Sequence, residues 1–449
     1  MTDLSAAPAS LPRPRPSLLD PSDRMRRRNA AETRFRLYGL AAIAIALTML
    51  AIMLFTILRD GVSAFTQASL SFPVELSAEV LDPEGNRDRA EMAKVTTIGY
   101  GRVLAAAFTA ELGRRGIATD LSEKDIGALI SRDAPGTLRA QVLANPALVG
   151  TTIDAKVFAA GRIDGFLKGR VTLDSAERDS NISPAQLRLA QQLVEAGILT
   201  SAFNWDFLTN PDASDQRPEA SGLGVALIGS AYMMVLVLLM CVPVGIAASI
   251  YLEEFAPRNR WTDAIEVNIS NLAAVPSIVY GILGLAIFIN FAGLPQSSSL
   301  VGALVLSLMT LPTIIIATRA AIRAVPPSIR DAALGVGASK MQTVFHHVLP
   351  LAAPGILTGT ILGLATALGE TAPLLLIGMV AFVDNYPAAP PDGILSPATA
   401  LPVQVYSWAS RSDPAFIERS NGAIIVLLVF LVAMNVTAIL LRRRFERRW

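Results

Sequence analysis

The sequence predicts an all-α polytopic membrane protein with six transmembrane helices and a small α+β domain inserted after the first of them. Three observations lead to this fold class. Hydrophobic residues make up 52% of the 449 residues and charged residues only 17%, whereas soluble domains carry about 25% charged residues. The mean hydropathy is +0.47. Finally, six apolar stretches approach or exceed the roughly 20 residues that a spanning helix needs.

The first apolar stretch, residues 39–58, predicts a transmembrane anchor. It is too long for the apolar core of a signal peptide, and no A-x-A-like cleavage site follows promptly. Five further spans are predicted in the C-terminal half, at residues 222–252, 271–291, 300–318, 354–382 and 423–441.

Arginines beside the terminal spans predict the orientation. They flank the first span as Arg24, Arg26, Arg27, Arg28, Arg34 and Arg36 and the last as Arg442, Arg443, Arg444, Arg447 and Arg448. Basic flanks stay in the cytoplasm, and an even number of spans returns the chain to its starting side. Both termini are therefore predicted to be cytoplasmic. Residues 1–38 form a basic, disordered tail, the loop 319–340 is cytoplasmic, and the loop 383–421 is extracytoplasmic.

Residues 59–220 must then lie outside the membrane as an inserted domain. Ser183, Pro184 and Gln186 have the pattern of a capped helix start, and Gly197 ends that helix. Apolar residues at 103–108 suggest another amphipathic helix, and residues 151–157 and 166–172 alternate weakly, as in a hairpin. This domain is either a docking surface for an extracytoplasmic partner or a packed structural domain that stabilises the external face.

The composition excludes several classes of site. A net charge of +1 provides no basic field for nucleic acid. A single cysteine, Cys241, excludes an intrachain disulfide and a cysteine-based zinc site. With only the adjacent His346 and His347 as further soft ligands, no metal site is predicted.

Prolines and glycines interrupt the apolar stretches. The prolines are Pro243, Pro276, Pro312 and Pro354, and the glycines Gly355, Gly359 and Gly363 recur every four residues. Prolines are tolerated in membrane helices where a neighbouring helix or a cavity satisfies the freed carbonyls, so they indicate either a bundle around a pathway or ordinary kinked packing. The glycine spacing predicts close contact with another helix, in this chain or another.

Glu370 is the only acidic residue well inside an apolar stretch. An ionisable residue at that depth is costly, roughly 2.5–3.5 kcal/mol for Asp, Lys or Arg on insertion scales, and is a functional hypothesis by default. The alternatives are a position near the interface or a buried pair for assembly. Because no lysine or arginine stands at obvious midplane depth, a counter-charge would come from a partner subunit.

The cytoplasmic segment 324–350 combines a short amphipathic helix, a turn of small residues and a second short helix. Its residues Asp331, Ala332, Ala333, Gly337, Leu349 and Pro350 fall on the spacing of a known motif. The segment resembles the coupling motif of binding-protein-dependent ABC importer permeases, which docks into a groove on an ATPase subunit. Asp331 replaces the usual glutamate, and His347 stands where an aliphatic residue is usual.

Three further stretches narrow the resemblance to PstA-type phosphate permeases. They are residues 271–281, which contain Asn271, Pro276, Ser277 and Tyr280, residues 369–374, which contain Glu370 and Thr371, and residues 252–255. The resemblance covers about 222–449, and the insert resembles an extra domain of the longer PstA-type permeases. Many relatives have a basic residue four positions before the glutamate, where this chain has Thr366.

The resemblance implies a type I ABC importer permease core in a bacterial inner membrane, with the insert in the periplasm. The implied partners are a second homologous permease, two ABC ATPase subunits, an extracytoplasmic phosphate-binding protein and membrane lipid. No lysine follows a glycine, so the chain lacks a Walker A motif. It is therefore expected not to be an enzyme and to bind no cofactor, with ATP and magnesium on the partner ATPase. The candidates for the translocation path are Glu370, Thr371, Ser277, Asn271 and Tyr280.

Three alternative functions stay open. A permease for another oxyanion, such as sulfate or molybdate, is not excluded by residue spacing. A proton-coupled secondary transporter would use Glu370 as its relay, but such carriers have inverted repeats, none is convincing here, and the coupling segment would have no role. A membrane-anchored sensor would use the inserted domain as its receptor. It would need one span, whereas this sequence predicts six, and it would need a cytoplasmic output domain, which is not predicted here.

Overall fold

The computed structural model describes residues 23–379 and 382–445. The part of the predicted tail before residue 23, together with Arg447 and Arg448, lies outside the described residues. The chain divides into two compact units, residues 1–56 and 57–449.

A single helix, α1 (Asp23–Gly61), contains the first predicted span. It begins earlier than the apolar stretch, so residues 23–38, assigned to the tail from the sequence, are helical. Arginine, alanine and glutamate in this stretch all favour helix over coil. The apolar side chains of the span are exposed, for example Ile43, Met49 and Phe55 at 59–67%, as expected for a helix that faces lipid.

The inserted segment is built on a three-stranded antiparallel sheet with the order β2-β1-β3. Its strands are β1 (Thr66–Glu75), β2 (Thr152–Phe158) and β3 (Leu199–Phe203). Leu70, Phe72 and Val74 alternate along β1 and are buried. Leu70 lies opposite Val157 on one side and Leu199 on the other. The central strand therefore carries the core of this domain.

Helices pack against the sheet and complete that core. The longer ones are α2 (Thr97–Arg114), α3 (Ala134–Ala144) and α4 (Pro184–Glu195). Shorter helical turns are Val62–Phe65, Ala78–Leu81, Arg89–Met92, Glu123–Gly127, Pro146–Leu148, Gly161–Leu167, Leu173–Ala176, Asp206–Thr209 and Pro218–Ala220. The predicted start of α4 is confirmed, because Ser183 and Gln186 cap each other through side-chain to backbone hydrogen bonds. The predicted helix around 103–108 is confirmed within α2.

The predicted hairpin is wrong. Residues 152–158 form β2, but residues 166 and 167 end the helical turn Gly161–Leu167 and residues 168–171 form turns and bends instead of a second strand. β2 pairs instead with β1, whose apolar face is more continuous than that of residues 166–172. The Asp164 carboxylate accepts a hydrogen bond from the Ala68 amide at 2.9 Å, which fixes this turn against β1.

Helices of the second unit supply the remaining spans. They are α5 (Gly224–Ile250), α6 (Arg260–Ala273), α7 (Ser277–Gly284), α8 (Ser299–Arg323), α9 (Pro327–Gly335), α10 (Leu349–Gly369), α11 (Ala372–Leu376), α12 (Leu401–Ala409) and α13 (Pro414–Phe445). Wider π-helical turns extend α5 over Tyr251–Phe255, extend α7 over Leu285–Phe291 and precede α10 over Val344–Val348, which follows a turn at Lys340–Thr343. A short turn, Asp392–Ile394, precedes α12. In the described part of the chain, five helices are long and apolar enough to cross a membrane, or six if the bent pair α6 and α7 counts as one span.

Two predicted spans are broken. The chain bends by 101° between α6 and α7, because Pro276 has no amide hydrogen and disfavours helical geometry in the residue before it. The helix predicted over 354–382 instead begins at Lys340 and ends at Gly369. The backbone of Glu370 is extended, with φ −77° and ψ 127°. Pro243, Pro312 and Pro354 lie inside continuous helices.

A buried aromatic cluster joins the inserted domain to the spans of the same unit. Phe207, Trp408 and Phe416 are fully buried in it, together with Leu223 at the start of the second span. The Trp408 indole donates a hydrogen bond to Asp212 at 2.9 Å. The insert is therefore packed on one end of these spans.

Candidate functional site

The predicted coupling segment is a helix followed by a sharply defined turn. α9 ends at Gly335, and Gly337 adopts φ +90°. The Ala338 amide donates to the Ala333 carbonyl at 3.1 Å, and the Gly337 amide donates to the Leu334 carbonyl at 3.0 Å. These two bonds form a Schellman motif, which requires a residue in the left-handed conformation. The spacing between Ala333 and Gly337 thus has a structural reason.

The side chains of this segment divide into an exposed face and an anchoring face. Asp331, Ala332 and Gly337 are exposed, and Ala333 is buried. Val336, at the turn, is 86% exposed.

The second helix of the segment is continuous with an apolar helix long enough to cross a membrane. Ser339 caps it through a reciprocal pair of hydrogen bonds with Gln342. From Lys340 the helix continues to Gly369, and Leu349 and Pro350 are half-buried within it. The expectation of a distinct short helix is therefore wrong, since the Gly337 turn leads directly into a span.

Arg330 fixes α9 to the ends of two spans. Its guanidinium donates to Glu254 Oε1 at 2.8 Å from Nη2 and 3.0 Å from Nε. It also donates to the carbonyls of Ile322 and Val325 at 2.9 and 2.7 Å. Glu254 belongs to the π-helical end of α5, and the two carbonyls belong to the end of α8 and the residues after it. A movement of α9 is thereby linked to both spans.

Neighbouring ion pairs extend this cluster. Arg323 pairs with Glu253 at 2.7 Å, and Arg319 pairs with both Glu253 and Glu266 of α6. The sequence pointed to residues 252–255 only as the close of the second span. The available signal was an acidic pair at the end of one apolar stretch and an arginine, Arg319, at the end of another.

The two broken spans pack against each other just after their breaks. The Tyr280 hydroxyl donates to the Leu272 carbonyl at 2.6 Å and so closes the bend between α6 and α7. One turn into α7, a Cβ on Gly281 would stand 2.7 Å from Cα of Pro373 and 2.9 Å from its carbonyl oxygen. Backbone contact of this kind allows only glycine. α7 and α11 therefore meet at the Gly281–Pro373 contact.

That contact brings several path candidates into one region. Ser277 is the first residue of α7, Thr371 precedes α11, and both are half-buried. Glu370 is half-buried, and no ion pair or hydrogen bond to its carboxylate is found among residues 23–379 and 382–445. Tyr280 is buried, whereas Asn271 is exposed on α6.

The glycine stripe of α10 faces α8. A Cβ on Gly355 would stand 2.7 Å from the Ala321 Cβ, and one on Gly363 would stand 3.2 Å from the Thr310 methyl carbon. Gly359 lies against Ala317 in the same way. The close partner of the stripe is thus a helix of this chain.

Charged residues connect the insert to the start of α13. Glu418 pairs with Lys168 at 2.9 Å and with Arg170. Arg419 donates to the carbonyls of Ser221 and Glu219 at 2.7 and 2.9 Å. Burial raises the pKa of the Glu219 carboxyl above its usual range, although a hydrogen bond from Ser131 opposes this. Within the described ranges, no group of three or more histidine, cysteine or acidic side chains is placed to hold a metal ion.

Comparison with known proteins matches the C-terminal half of the chain to a family of membrane transport components. A family described as "Binding-protein-dependent transport system inner membrane component" matches residues 241–449, and a "Domain of unknown function (DUF3333)" matches residues 22–177. The probable ABC transporter permease protein YqgI of Bacillus subtilis is 31% identical over 53% of this chain and 83% of its own length.

Two further relatives carry a more specific name. The phosphate transport system permease protein PstA 2 of Mycobacterium bovis is 34% identical over 55% of this chain and 79% of its own length. The phosphate transport system permease protein PstA of Xylella fastidiosa is 32% identical over 50% of this chain and 77% of its own length. The chain therefore belongs to the binding-protein-dependent ABC transporter permeases, as a member of the PstA-type family.

Proposed function

We propose that this chain is a permease subunit of an ATP-driven importer of inorganic phosphate. It forms half of the translocation path and couples to a separate ATPase chain. The observation that carries the proposal is the similarity of its transport core to relatives named as phosphate transport permeases. The exposed Gly337 turn, whose preceding helix Arg330 links to the spans, supports the coupling role.

In this proposal, the ATPase subunit binds the exposed face around Asp331, Ala332 and Gly337. The Schellman turn sets the angle between α9 and the span that begins at Lys340. When the ATPase subunits close, they displace α9. The Arg330–Glu254 pair then transmits the displacement to α5, so that spans move together instead of α9 sliding over them.

The path would pass the contact between the two broken spans. Ser277 and Thr371 offer hydroxyl donors to phosphate, and the start of α7 adds the positive end of a helix dipole. Glu370 lacks a described partner, so an arginine of the second permease would balance its charge. Tyr280 holds the bend through its bond to Leu272, and Asn271 stays a candidate at the exposed surface of α6.

The complete importer would contain a second, related permease, two ABC ATPase subunits and an extracytoplasmic phosphate-binding protein. ATP and magnesium would be bound by the ATPase subunits, and this chain would perform no catalysis. It would reside in a bacterial inner membrane with its termini in the cytoplasm and its inserted domain in the periplasm. The spans of the two permeases would alternate access about a shared midline.

Affinity purification in mild detergent with mass spectrometry tests the assembly. We expect an ABC ATPase and a second permease to co-purify. A chain that elutes alone or as a homo-oligomer, without a nucleotide-binding partner, would refute the coupling role. Uptake of labelled phosphate in competition with unlabelled phosphate, sulfate and molybdate tests the substrate, and equal competition by all three would refute phosphate selectivity.

The Glu370→Gln variant separates an ATP-driven permease from a proton-coupled carrier. In the ATP-driven case, uptake changes in rate but keeps its pH profile, because no proton is carried on this carboxyl. A shifted profile would favour the proton-coupled carrier. Thr366→Ser, in the last turn of α10 just before Glu370, is the matched control, since its hydroxyl donates to the Leu362 carbonyl of its own helix.

A further inference from the structure

The inserted domain carries two exposed aromatic side chains beside each other at the end of β3. Phe203 is 52% exposed and Trp205 is 67% exposed. Their rings lie 4.8 Å apart, edge to face, and Phe65 stacks on Phe203 at 6.3 Å. Large aromatic groups are costly to leave in water, so a patch of this kind indicates a surface that is covered in the working protein.

The position of this patch relative to the apolar spans is defined by direct contacts. The Asn204 amide donates to the Phe65 carbonyl at 2.8 Å, which holds the patch next to the end of α1. The apolar stretch of α1 stops at Leu58 and is followed by Arg59 and Asp60. The patch is therefore only a few residues beyond the point where the chain leaves the apolar region.

A second span places the patch at the same level. A Cβ on Gly61 would stand 2.8 Å from the backbone of Asn421, and one on Gly422 would stand 3.0 Å from the Phe207 ring. The apolar stretch of α13 begins immediately after these residues, at Ala423. Phe207 is two residues from Trp205 and also packs on Leu223, where the apolar part of α5 begins. Three apolar segments thus start or end at the level of this patch.

We infer that Phe203 and Trp205 insert into the headgroup layer of the membrane, in its outer leaflet, and hold the inserted domain against the bilayer. Tryptophan and other aromatic side chains are enriched at this depth because they combine an apolar body with a polar edge. The occupant of the patch is the lipid interface, because the patch continues the level at which apolar helix surface gives way to water. The inserted domain would then have a fixed orientation on the membrane surface.

Ile98 offers a matched control. It is 67% exposed, the same as Trp205, and also belongs to the inserted domain. Gly101, in the same helix, lines a cleft of about 430 Å³ together with Asp413. Asp413 precedes Asn421 by eight residues, so that cleft is about 12 Å further from the apolar region at the helical rise per residue. If the patch contacts lipid, Trp205 lies in the lipid interface and Ile98 lies in water, although the two side chains are equally exposed.

Spin labels on single introduced cysteines test the inference in the full-length chain, with its co-purifying subunits, in phosphatidylcholine vesicles. The variants are Phe203→Cys, Trp205→Cys and Ile98→Cys, and native Cys241 is 1% exposed and does not compete for label. We expect high oxygen and low nickel-chelate accessibility at positions 203 and 205, and the reverse at position 98. Labels at 203 and 205 that are as open to nickel chelate as the label at 98 would overturn the inference, and so would protection from both reagents, which indicates a protein partner.

Brominated lipid provides a second measurement without a bulky label. The difference in tryptophan fluorescence between the unmodified chain and Trp205→Phe reports Trp205 alone. We expect this difference to be lost when phosphatidylcholine is replaced by its brominated form. A difference that brominated lipid leaves unchanged would overturn the inference. Phosphate uptake is not the readout, so failure of this inference leaves the proposed function untouched.

Discussion

Gly337 is the position at which the coupling role can be tested most directly. It adopts φ +90°, and apart from its two chain neighbours a Cβ added to it would meet no atom of the described residues within 4 Å. Gly335, two residues earlier, also has open space around an added Cβ, but it ends α9 without a positive φ. The substitutions Gly337→Ala and Gly335→Ala therefore differ in backbone strain and not in local packing.

The expected magnitude follows from the backbone conformation. A left-handed conformation costs an L-residue roughly 1–2 kcal/mol, and every 1.4 kcal/mol is tenfold in an equilibrium constant. Gly337→Ala should thus reduce the population of the native turn by about tenfold relative to competing conformations. Because folded domains are stable by about 5–15 kcal/mol, the chain still folds.

Phosphate uptake and ATPase co-purification in reconstituted membranes measure the effect. We expect Gly337→Ala to lower ATP-coupled uptake by up to about tenfold, Gly337→Asn to retain more of it because asparagine tolerates this conformation, and Gly335→Ala to behave as the unmodified chain. Gly337→Asp should abolish coupled uptake while the spans still assemble, because it adds a charge to the exposed face proposed to bind the ATPase. Normal uptake in Gly337→Ala and Gly337→Asp would refute the coupling role, and equal losses at 335 and 337 would refute the argument from backbone strain.

Further substitutions test the remaining contacts. Gly281→Ala should reduce uptake without loss of ATPase binding, because its Cβ would stand 2.7 Å from the backbone it packs on, whereas Gly369→Ala has open space and should be silent. Arg330→Met leaves the Glu254 carboxylate without its described partner. It should weaken the link by about 1–3 kcal/mol, so ATP hydrolysis continues with reduced uptake. Glu219→Gln should flatten the dependence of stability on pH. Because the pKa of this carboxyl is raised in the folded state, its protonation stabilises the fold at pH values below the unfolded-state pKa. That contribution to stability is lost as the pH rises through the folded-state pKa.

Each of these expectations has an outcome that contradicts it. Uptake in Gly281→Ala equal to that of the Gly369 variant would mean that the two broken spans do not need to stay in contact. Full coupling in Arg330→Met would show that α9 transmits force by another route. Thermal unfolding curves of Glu219→Gln and the unmodified chain that move in parallel with pH would exclude a titrating role for this carboxyl.

The sequence alone determined the class of protein and most of the local structure. Long apolar stretches predict spans because a bilayer leaves backbone groups no partner other than their own helix. Capping patterns such as Ser183 with Gln186 are local, so the start of α4 was predictable to the residue. The helix and turn predicted for the segment that contains Asp331, Ala332, Ala333 and Gly337 are likewise present, and its coupling role stays a proposal.

Tertiary structure decided what depends on contacts between distant segments. The strand at 152–158 pairs with β1 because that strand has the more continuous apolar face, which the weak alternation at 166–172 did not reveal. The contact of Gly281 with Pro373 depends on packing between the two broken spans. The Arg330–Glu254 pair joins residues 76 positions apart, and no local pattern specifies which carboxylate an arginine will meet. Such pairings arise only when the helices have packed, because the free energy that selects them lies in the contacts themselves.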